Sequence, residues 1–311
     1  MPLETSDRIA EVRRRASVLV TGASSGIGRA TALHLAAQGM RIFVACRRLA
    51  DGEALARDAP GGRIVPVEMD VTRPETIAQA RVAVEAALGP VGLDGLVNNA
   101  GVGFSAPMEI VSVARVRDAF EVNLFGQLEV IQAFLPLLRS RPGRIVNLGS
   151  VGAHITIPFG GVLCATKAAF TSFNDALRLE LYSSGIRVCL IEPGSINTPA
   201  VEKTLGGMDE AIAAWPAAAA DRYGRMFRNF TKSAMARESA GSQPEVVAQA
   251  IHHALTSDRP KARYPVGKDA RLLVTLPRLL PTSMLDALRR RLFGLPSEFG
   301  AFSSRAGDNN D

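Results

Sequence analysis

The chain has 311 residues, 47% hydrophobic and 21% charged, which fits a globular protein with a substantial core, built as one large domain or two small ones. Its three scattered cysteines, Cys46, Cys164 and Cys189, argue against a disulfide framework or structural zinc and for a reducing, cytoplasmic setting, and four histidines make a metal site unexpected. The net charge is +6, but nine Lys/Arg against two Asp between Arg259 and Arg291 place +7 there and leave about −1 elsewhere, which argues against nucleic-acid binding by the main domain.

Residues 1–15 are polar and charged and are expected to form a loose arm. Arg13-Arg14-Arg15 before Ala-Ser-Val-Leu-Val imitates a signal peptide, but the apolar run is too short and leads into a glycine-rich turn. No stretch has the length of apolar sequence that a spanning helix needs. Ser17–Thr21 is apolar and β-branched, hence a buried strand. It enters Thr21-Gly22-Ala23-Ser24-Ser25-Gly26-Ile27-Gly28, and a helix follows over Ala30–Gln38 with Ala30, Leu33, His34 and Ala37 on one face. Gly22 permits the tight reversal, Gly26 lets backbone approach a diphosphate, and Gly28 lets the helix lie close to the sheet. The free N–H groups of the helix start then face the phosphates. A strand before the turn and a helix after it favour a dinucleotide turn over an ordinary glycine turn. No Gly-Lys-Ser/Thr follows, which excludes a P-loop.

Arg41–Cys46 is the second strand. It ends in Cys46-Arg47-Arg48 with no carboxylate before Asp51, a pattern that suits the 2′-phosphate of NADP better than the ribose hydroxyls of NAD. Arg63–Val67 is the third strand and leads to Asp70-Val71; Asp70 either meets an adenine amino group or caps the next helix, which Thr72, Pro74 and Glu75 start and Gly89-Pro90 end. Leu93–Val97 leads to Asn98-Asn99-Ala100-Gly101. A long helix over Val111–Arg139 carries Asn123 in its middle. Arg144–Leu148 is the fifth strand, with Gly149 and Ser150 at its end, and Gly161–Ser184 is a helix bearing Lys167. Arg187–Ile191, the sixth, ends in Glu192-Pro193-Gly194. Pro244–Leu255 is helical and Ala262–Val266 a last strand. The alternation implies an α/β, doubly wound parallel sheet of about seven strands, Rossmann-type, with helices on both faces and the ligand at the C-terminal strand ends.

Taken together, Thr21-Gly22-x-x-x-Gly26-x-Gly28, Asn98-Asn99-Ala100-Gly101, Asn123, Ser150, Lys167 and Pro193-Gly194 resemble the classical short-chain dehydrogenases/reductases over about residues 16–265. Leu148-Gly149-Ser150-Val151-Gly152 with Ile157-Pro158-Phe159 is most similar to the hydroxysteroid and retinol dehydrogenase branch. The resemblance implies a homo-oligomeric oxidoreductase that moves a hydride between NADP and a hydrophobic alcohol or carbonyl of the sterol, retinoid or lipid class. It assigns Gly22, Ser24, Ser25, Gly26, Ile27 and Gly28 to the diphosphate. Arg47, Arg48, Asp70, Val71, Asn99, Ala100 and Gly101 go to the adenosine half, and Pro193, Gly194, Ile196 and Thr198 to the nicotinamide. Asn123 belongs to a proton relay, Ser150 hydrogen-bonds the substrate oxygen, and Lys167 holds the nicotinamide ribose.

One position departs from this pattern. The family's general acid is a tyrosine four residues before the lysine and thirteen after the serine, and both spacings fall on Leu163. Leucine has no proton to give. His154, on the loop expected to line the substrate pocket, is the best replacement; Tyr223 is a weaker one, and Cys164 is expected to face away. A catalytically silent dinucleotide-binding protein (a sensor, scaffold or partner subunit) is therefore the rival to an active dehydrogenase.

The expected organisation is an arm at 1–15, a catalytic domain at 16–267 and an extension with tail at 268–311. Residues 198–243 form a substrate lid whose Trp215, Tyr223, Met226, Phe227, Phe230 and Met235 suit an apolar substrate, unless they serve helix packing or a subunit interface. In 268–293, leucines are interleaved with arginines, and the stretch is interrupted by Pro277 and Pro281. Two basic amphipathic segments of this kind either touch an anionic membrane surface peripherally or cover the substrate pocket or a neighbouring subunit.

Overall fold

The computed structural model describes residues 16–298, so the expected N-terminal arm and the tail at 301–311 lie outside the described residues. Seven strands form one sheet: β1 (Ser17–Thr21), β2 (Arg41–Cys46), β3 (Ile64–Glu68), β4 (Gly95–Asn98), β5 (Arg144–Leu148), β6 (Arg187–Pro193) and β7 (Arg263–Val266). All neighbours are parallel and the order is β3-β2-β1-β4-β5-β6-β7. The boundaries expected for β1, β2 and β5 match, and β3, β4, β6 and β7 differ by one or two residues. The strands are short apolar runs because both faces are covered; all five residues of β1 are buried. The chain crosses from β3 past β1 to β4, and the reversal opens a crevice above the C-terminal ends of β1 and β4.

Helix α1 (Gly26–Ala37) follows β1, α2 (Leu49–Asp58) follows β2 and α3 (Pro74–Leu88) follows β3. The buried residues of α1 are Gly28, Thr31, Ala32, Leu35 and Ala36, a different set from the face of Ala30, Leu33, His34 and Ala37. The helix is apolar on several sides because α10 (Pro244–Thr256) packs beside it, and Leu33 and His34 lie partly buried toward the flank. There the His34 and His252 rings meet edge to face, 5.3 Å between centroids, while His253 turns to the Tyr264 hydroxyl at 3.0 Å.

Burial holds both His34 and His252 below the ordinary histidine range, and the neighbouring imidazoles add to the effect on His252. His34 Nε2 is buried with no hydrogen-bond partner. The unfolded chain therefore takes up protons that the folded chain refuses as pH falls through about 6.5, and stability present above that pH is lost below it. The melting temperature is expected to fall between pH 7.5 and pH 5 more steeply in the unaltered protein than in a His34→Phe variant. Equal slopes in the two would show that this pair does not titrate with folding.

The long helix after β4 divides at a π-helical turn, Glu121–Phe125, between α4 (Val113–Phe120) and α5 (Gly126–Arg139). Such turns interrupt the regular ladder and often mark functional positions; this one holds Asn123. Helix α6 (Gly161–Glu180) carries Lys167. Three helices fill the expected lid: α7 (Pro199–Leu205), α8 (Met208–Ala213) and α9 (Ala217–Ser239). The extension forms α11 (Ala270–Leu279) and α12 (Thr282–Leu292), with Pro277 inside the first and Pro281 capping the second. Among the described residues, no helix is long and apolar enough to cross a membrane.

Candidate active site

At the end of β1 the backbone takes positive φ at Gly22 (62°) and Gly26 (54°), a conformation glycine adopts at little cost. A Cβ on Gly22 would lie 2.8 Å from Ala100 Cα, and one on Gly28 would overlap the Gly22 carbonyl and the Asn99 amide. The turn thus sits directly on the Asn98–Gly101 loop. Thr21 Oγ1 accepts from the N–H groups of Asn99 and Ala100, each at 2.9 Å, while Asn99 Nδ2 donates to the carbonyls of Thr21 at 2.8 Å and Gly22 at 3.1 Å. On the far side, Asn98 Nδ2 donates to the Gln127 carbonyl at 3.0 Å, and Gln127 Nε2 reaches the Ala100 carbonyl. Thr21 and Gln127 were not singled out from sequence as site residues; their roles depend on contacts dozens of residues away.

Helix α1 starts at Gly26 behind Ser25, whose side chain makes no cap hydrogen bond. Its first amides follow a turn in which Gly22 and Gly28 leave no room for a Cβ, which fits a dinucleotide diphosphate. Ser24 is exposed beside it and Ile27 partly buried. The Thr198 side chain touches the other side, 3.4 Å from the place of a Cβ on Gly26. Beyond β2, Arg47 and Arg48 are both exposed; Arg48 pairs with Asp51 at 2.7 Å. Asp70 Oδ1 accepts from the N–H and hydroxyl of Thr72 at 3.0 and 2.8 Å, so it ties down the turn before α3. Val71 is buried, with its carbonyl against Gly126.

The residues expected to do chemistry converge where β4 and β5 end. Asn123 is buried; its Oδ1 accepts from Val102 N–H at 2.8 Å, and its Nδ2 donates to the Val102 carbonyl at 2.8 Å and to Thr166 Oγ1 at 3.1 Å. Lys167 Nζ donates to the Leu148 carbonyl at 2.8 Å and lies 3.9 Å from the place of a Cβ on Gly101. Burial lowers its pKa from 10.5 to about 8. Ser150 Oγ accepts from Gly152 N–H at 3.0 Å, which leaves its hydrogen free to be donated.

Ser150, Leu163 and Lys167 border one cavity of about 340 Å³, largely apolar, with leucines the commonest residue of its wall and with Leu272, Leu276, Leu288 and Leu292 of the extension as its roof. The basic C-terminal segments therefore cover this cavity. Their outer side still exposes Leu279 and Met284.

Several expectations are corrected by this geometry. His154 does not line the cavity: its Nε2 lies 2.6 Å from Glu192 Oε1, and the fully buried Glu192 also binds Arg263 at 2.9 Å. A buried carboxylate needs such partners, and His154 is drawn to it. The Tyr223 hydroxyl is held by Glu109 at the surface. Cys164, expected to face away, lines the same cavity as Leu163, although burial raises its thiol pKa. The lid aromatics pack elsewhere: Trp215, Phe227 and Phe230 form a cluster with Phe159 and Phe293. From α9, the residues reaching the cavity are Ala234, Arg237 and Glu238.

The loop after β6 is clamped by two carboxylates that sequence reasoning missed. Asp269 binds Ser195 through its N–H at 3.1 Å and its hydroxyl at 2.9 Å, and Glu238 accepts from Ile196 N–H at 3.2 Å. Burial raises the Glu238 carboxyl above the usual carboxylate range. Pro193 is buried, and Gly194 leaves room for the Asp269 carboxylate, which a Cβ would displace.

Residues 16–208 match the family model described as short chain dehydrogenase. The chain is 35% identical over 277 residues to retinol dehydrogenase 16 of Homo sapiens, covering 87% of this chain and 86% of that protein. It is 35% identical over 286 residues to 17-beta-hydroxysteroid dehydrogenase type 6 of Bos taurus, 90% of each. A crystal structure of a short-chain dehydrogenase from Streptomyces avermitilis superimposes with a TM-score of 0.70 at 29% identity, covering 94% of this chain and 98% of that one.

Proposed function

We propose that this chain, which belongs to the short-chain dehydrogenase family of oxidoreductases, uses NADP to interconvert a hydrophobic alcohol and its carbonyl, of the retinoid, steroid or lipid class. The observation that carries the reading is the leucine-walled cavity bordered by Ser150 and Lys167. The relatives are dehydrogenases of retinol and hydroxysteroids by name, which favours turnover over a silent binding role. When bound, the nicotinamide dinucleotide supplies or accepts a hydride. The glycine turn and the start of α1 hold its diphosphate, and Arg47 and Arg48 take its 2′-phosphate. Asn99 to Gly101 line the adenosine side, and Pro193, Gly194, Ile196 and Thr198 bracket the nicotinamide. Ser150 donates its hydroxyl hydrogen to the substrate oxygen and polarises it. Lys167 orients the ribose, and Asn123 ties the Val102 backbone to α6. With leucine at position 163, water within reach of Lys167 stands in for the family's proton donor. Peripheral contact with an anionic surface belongs to the same reading, through exposed Leu279, Met284 and Arg290.

The test is nucleotide binding followed by reduction of apolar ketones. NADPH is expected to bind more tightly than NADH, and Arg47→Ala combined with Arg48→Ala to weaken NADPH by about 10- to 100-fold with NADH little changed, the loss of charge-assisted contacts to one phosphate. Equal losses for both nucleotides would remove the NADP assignment, and absence of binding would remove the function.

A further inference from the structure

We infer that the substrate carries an anionic group, a carboxylate or its equivalent, which Arg289 of α12 binds inside the leucine-walled cavity. The inference rests on the oxidoreductase reading above and narrows its substrate class. Apart from Lys167, the charged side chains lining the cavity are Arg237, Glu238, Asp269 and Arg289. The two carboxylates are already engaged with Ser195 and Ile196. The two guanidiniums are less completely used.

Arg289 is the more telling of the two. Its Nη1 donates to Asp286 at 3.0 Å, one turn back on the same helix, and 20% of its side chain remains exposed. Its Nε, in contrast, is buried and has no hydrogen-bond partner. A buried donor left unpaired is costly, and more so on a charged group. A helix serving only as an apolar roof could place leucine here, as it does at Leu288 and Leu292. The Arg289 charge also reaches the Cys164 thiol: burial raises that thiol, and a backbone hydrogen bond at Ile157 and the Arg289 charge act against the rise. Cys164, Leu163 and Arg289 all line this one cavity. Arg237, partly buried with its guanidinium 6.0 Å from the Phe293 ring, adds positive charge to the same cavity. A planar fork with an unused N–H in an apolar chamber suits a carboxylate.

The probes are oxo fatty acids of short, medium and long carbonyl-to-carboxylate spacing, each paired with its methyl ester and titrated calorimetrically into the full chain with and without NADPH. At least one acid is expected to bind about 10- to 100-fold more tightly than its ester, the range for a charge-assisted hydrogen bond in a desolvated site. Arg289→Met is expected to abolish that gap while leaving ester and NADPH affinity unchanged, and Arg289→Lys to restore part of it. Equal binding of acid and ester throughout the series would overturn the inference. So would a loss in Arg289→Met that is the same for acid and ester, because the arginine would then be only a wall of the cavity, and so would failure of every probe to bind. Turnover of neutral ketones with NADPH tests the oxidoreductase reading separately, so a protein that binds nucleotide and esters yet gains nothing from a carboxylate refutes this inference alone.

Discussion

Replacing Leu163 by tyrosine raises the turnover number for ketone reduction by about 10²–10⁴-fold, the usual contribution of a positioned general acid. Leu163 lies one helical turn before Lys167 on α6 and borders the same cavity as Ser150 and Lys167, so a phenol placed there shares one face with the ammonium. The lysine charge favours the phenolate and draws the phenol's pKa below its ordinary value near 10, which lets it exchange a proton with the substrate oxygen closer to neutral pH. Space is adequate on one side: the Leu163 side chain lies 3.3 Å from the place of a Cβ on Gly103, and that glycine keeps the neighbouring backbone clear. Hydride geometry and nucleotide affinity depend on other residues, so the Michaelis constant for the nucleotide is expected to stay within a few-fold. Leu163→Phe is the control, since it adds the ring without the hydroxyl. A gain equal in both variants would show that cavity shape rather than proton supply limits the unaltered protein. No gain in a folded, nucleotide-binding Leu163→Tyr protein would show that the rest of the site does not support the chemistry.

Much of this site is legible in the sequence because local geometry encloses it. Strand β1, the glycine turn and α1 are consecutive, and the need for positive φ at Gly22 and Gly26 is met by residue types that can be read directly. The spacing that singles out Leu163 is legible for the same reason, since Ser150 and Lys167 lie on one strand–loop–helix unit. What escapes is assembled over long separations. Asp269 reaches Ser195 across 74 residues, and Glu238 reaches Ile196 across 42. No periodicity reports such pairs. His154 was misjudged because sequence does not show that Glu192 would be buried and in need of partners. The lid aromatics stay open between substrate and packing at the level of sequence, because an apolar stripe on α9 meets Phe159 and Phe293 as readily as a substrate; composition cannot separate those outcomes. The basic, leucine-rich pattern of the extension suits a membrane surface, a neighbouring subunit or the cavity alike, and in the fold the leucines of α11 and α12 roof the cavity.

Lys167→Met abolishes most turnover and at the same time makes the fold more stable near neutral pH. The ammonium is set against the Leu148 carbonyl at 2.8 Å, and burial draws its pKa from 10.5 to about 8. Below pH 8 the folded protein therefore holds a charge it would sooner lose. The gap between 10.5 and about 8, at about 1.4 kcal/mol for each pH unit, amounts to about 3 kcal/mol. The side chain borders a cavity and keeps some contact with solvent, and methionine forfeits the hydrogen bond to Leu148, so a net gain of about 1–2 kcal/mol is expected. For a domain of this size that raises the melting temperature by roughly 2–8 °C. The sign with pH follows from the direction of the shift. The unfolded chain binds the proton more tightly than the folded one, so the unaltered protein gains stability as pH rises from about 8 toward 10.5, and the advantage of Lys167→Met shrinks over that window. Melting curves of the two proteins at pH 7, 8.5 and 9.5 check this. A variant less stable than the unaltered protein at pH 7 would mean that the lysine is a net structural support. A stable variant with lost turnover identifies a cation that the fold retains against its own stability, as expected of a group kept for the site rather than for the core.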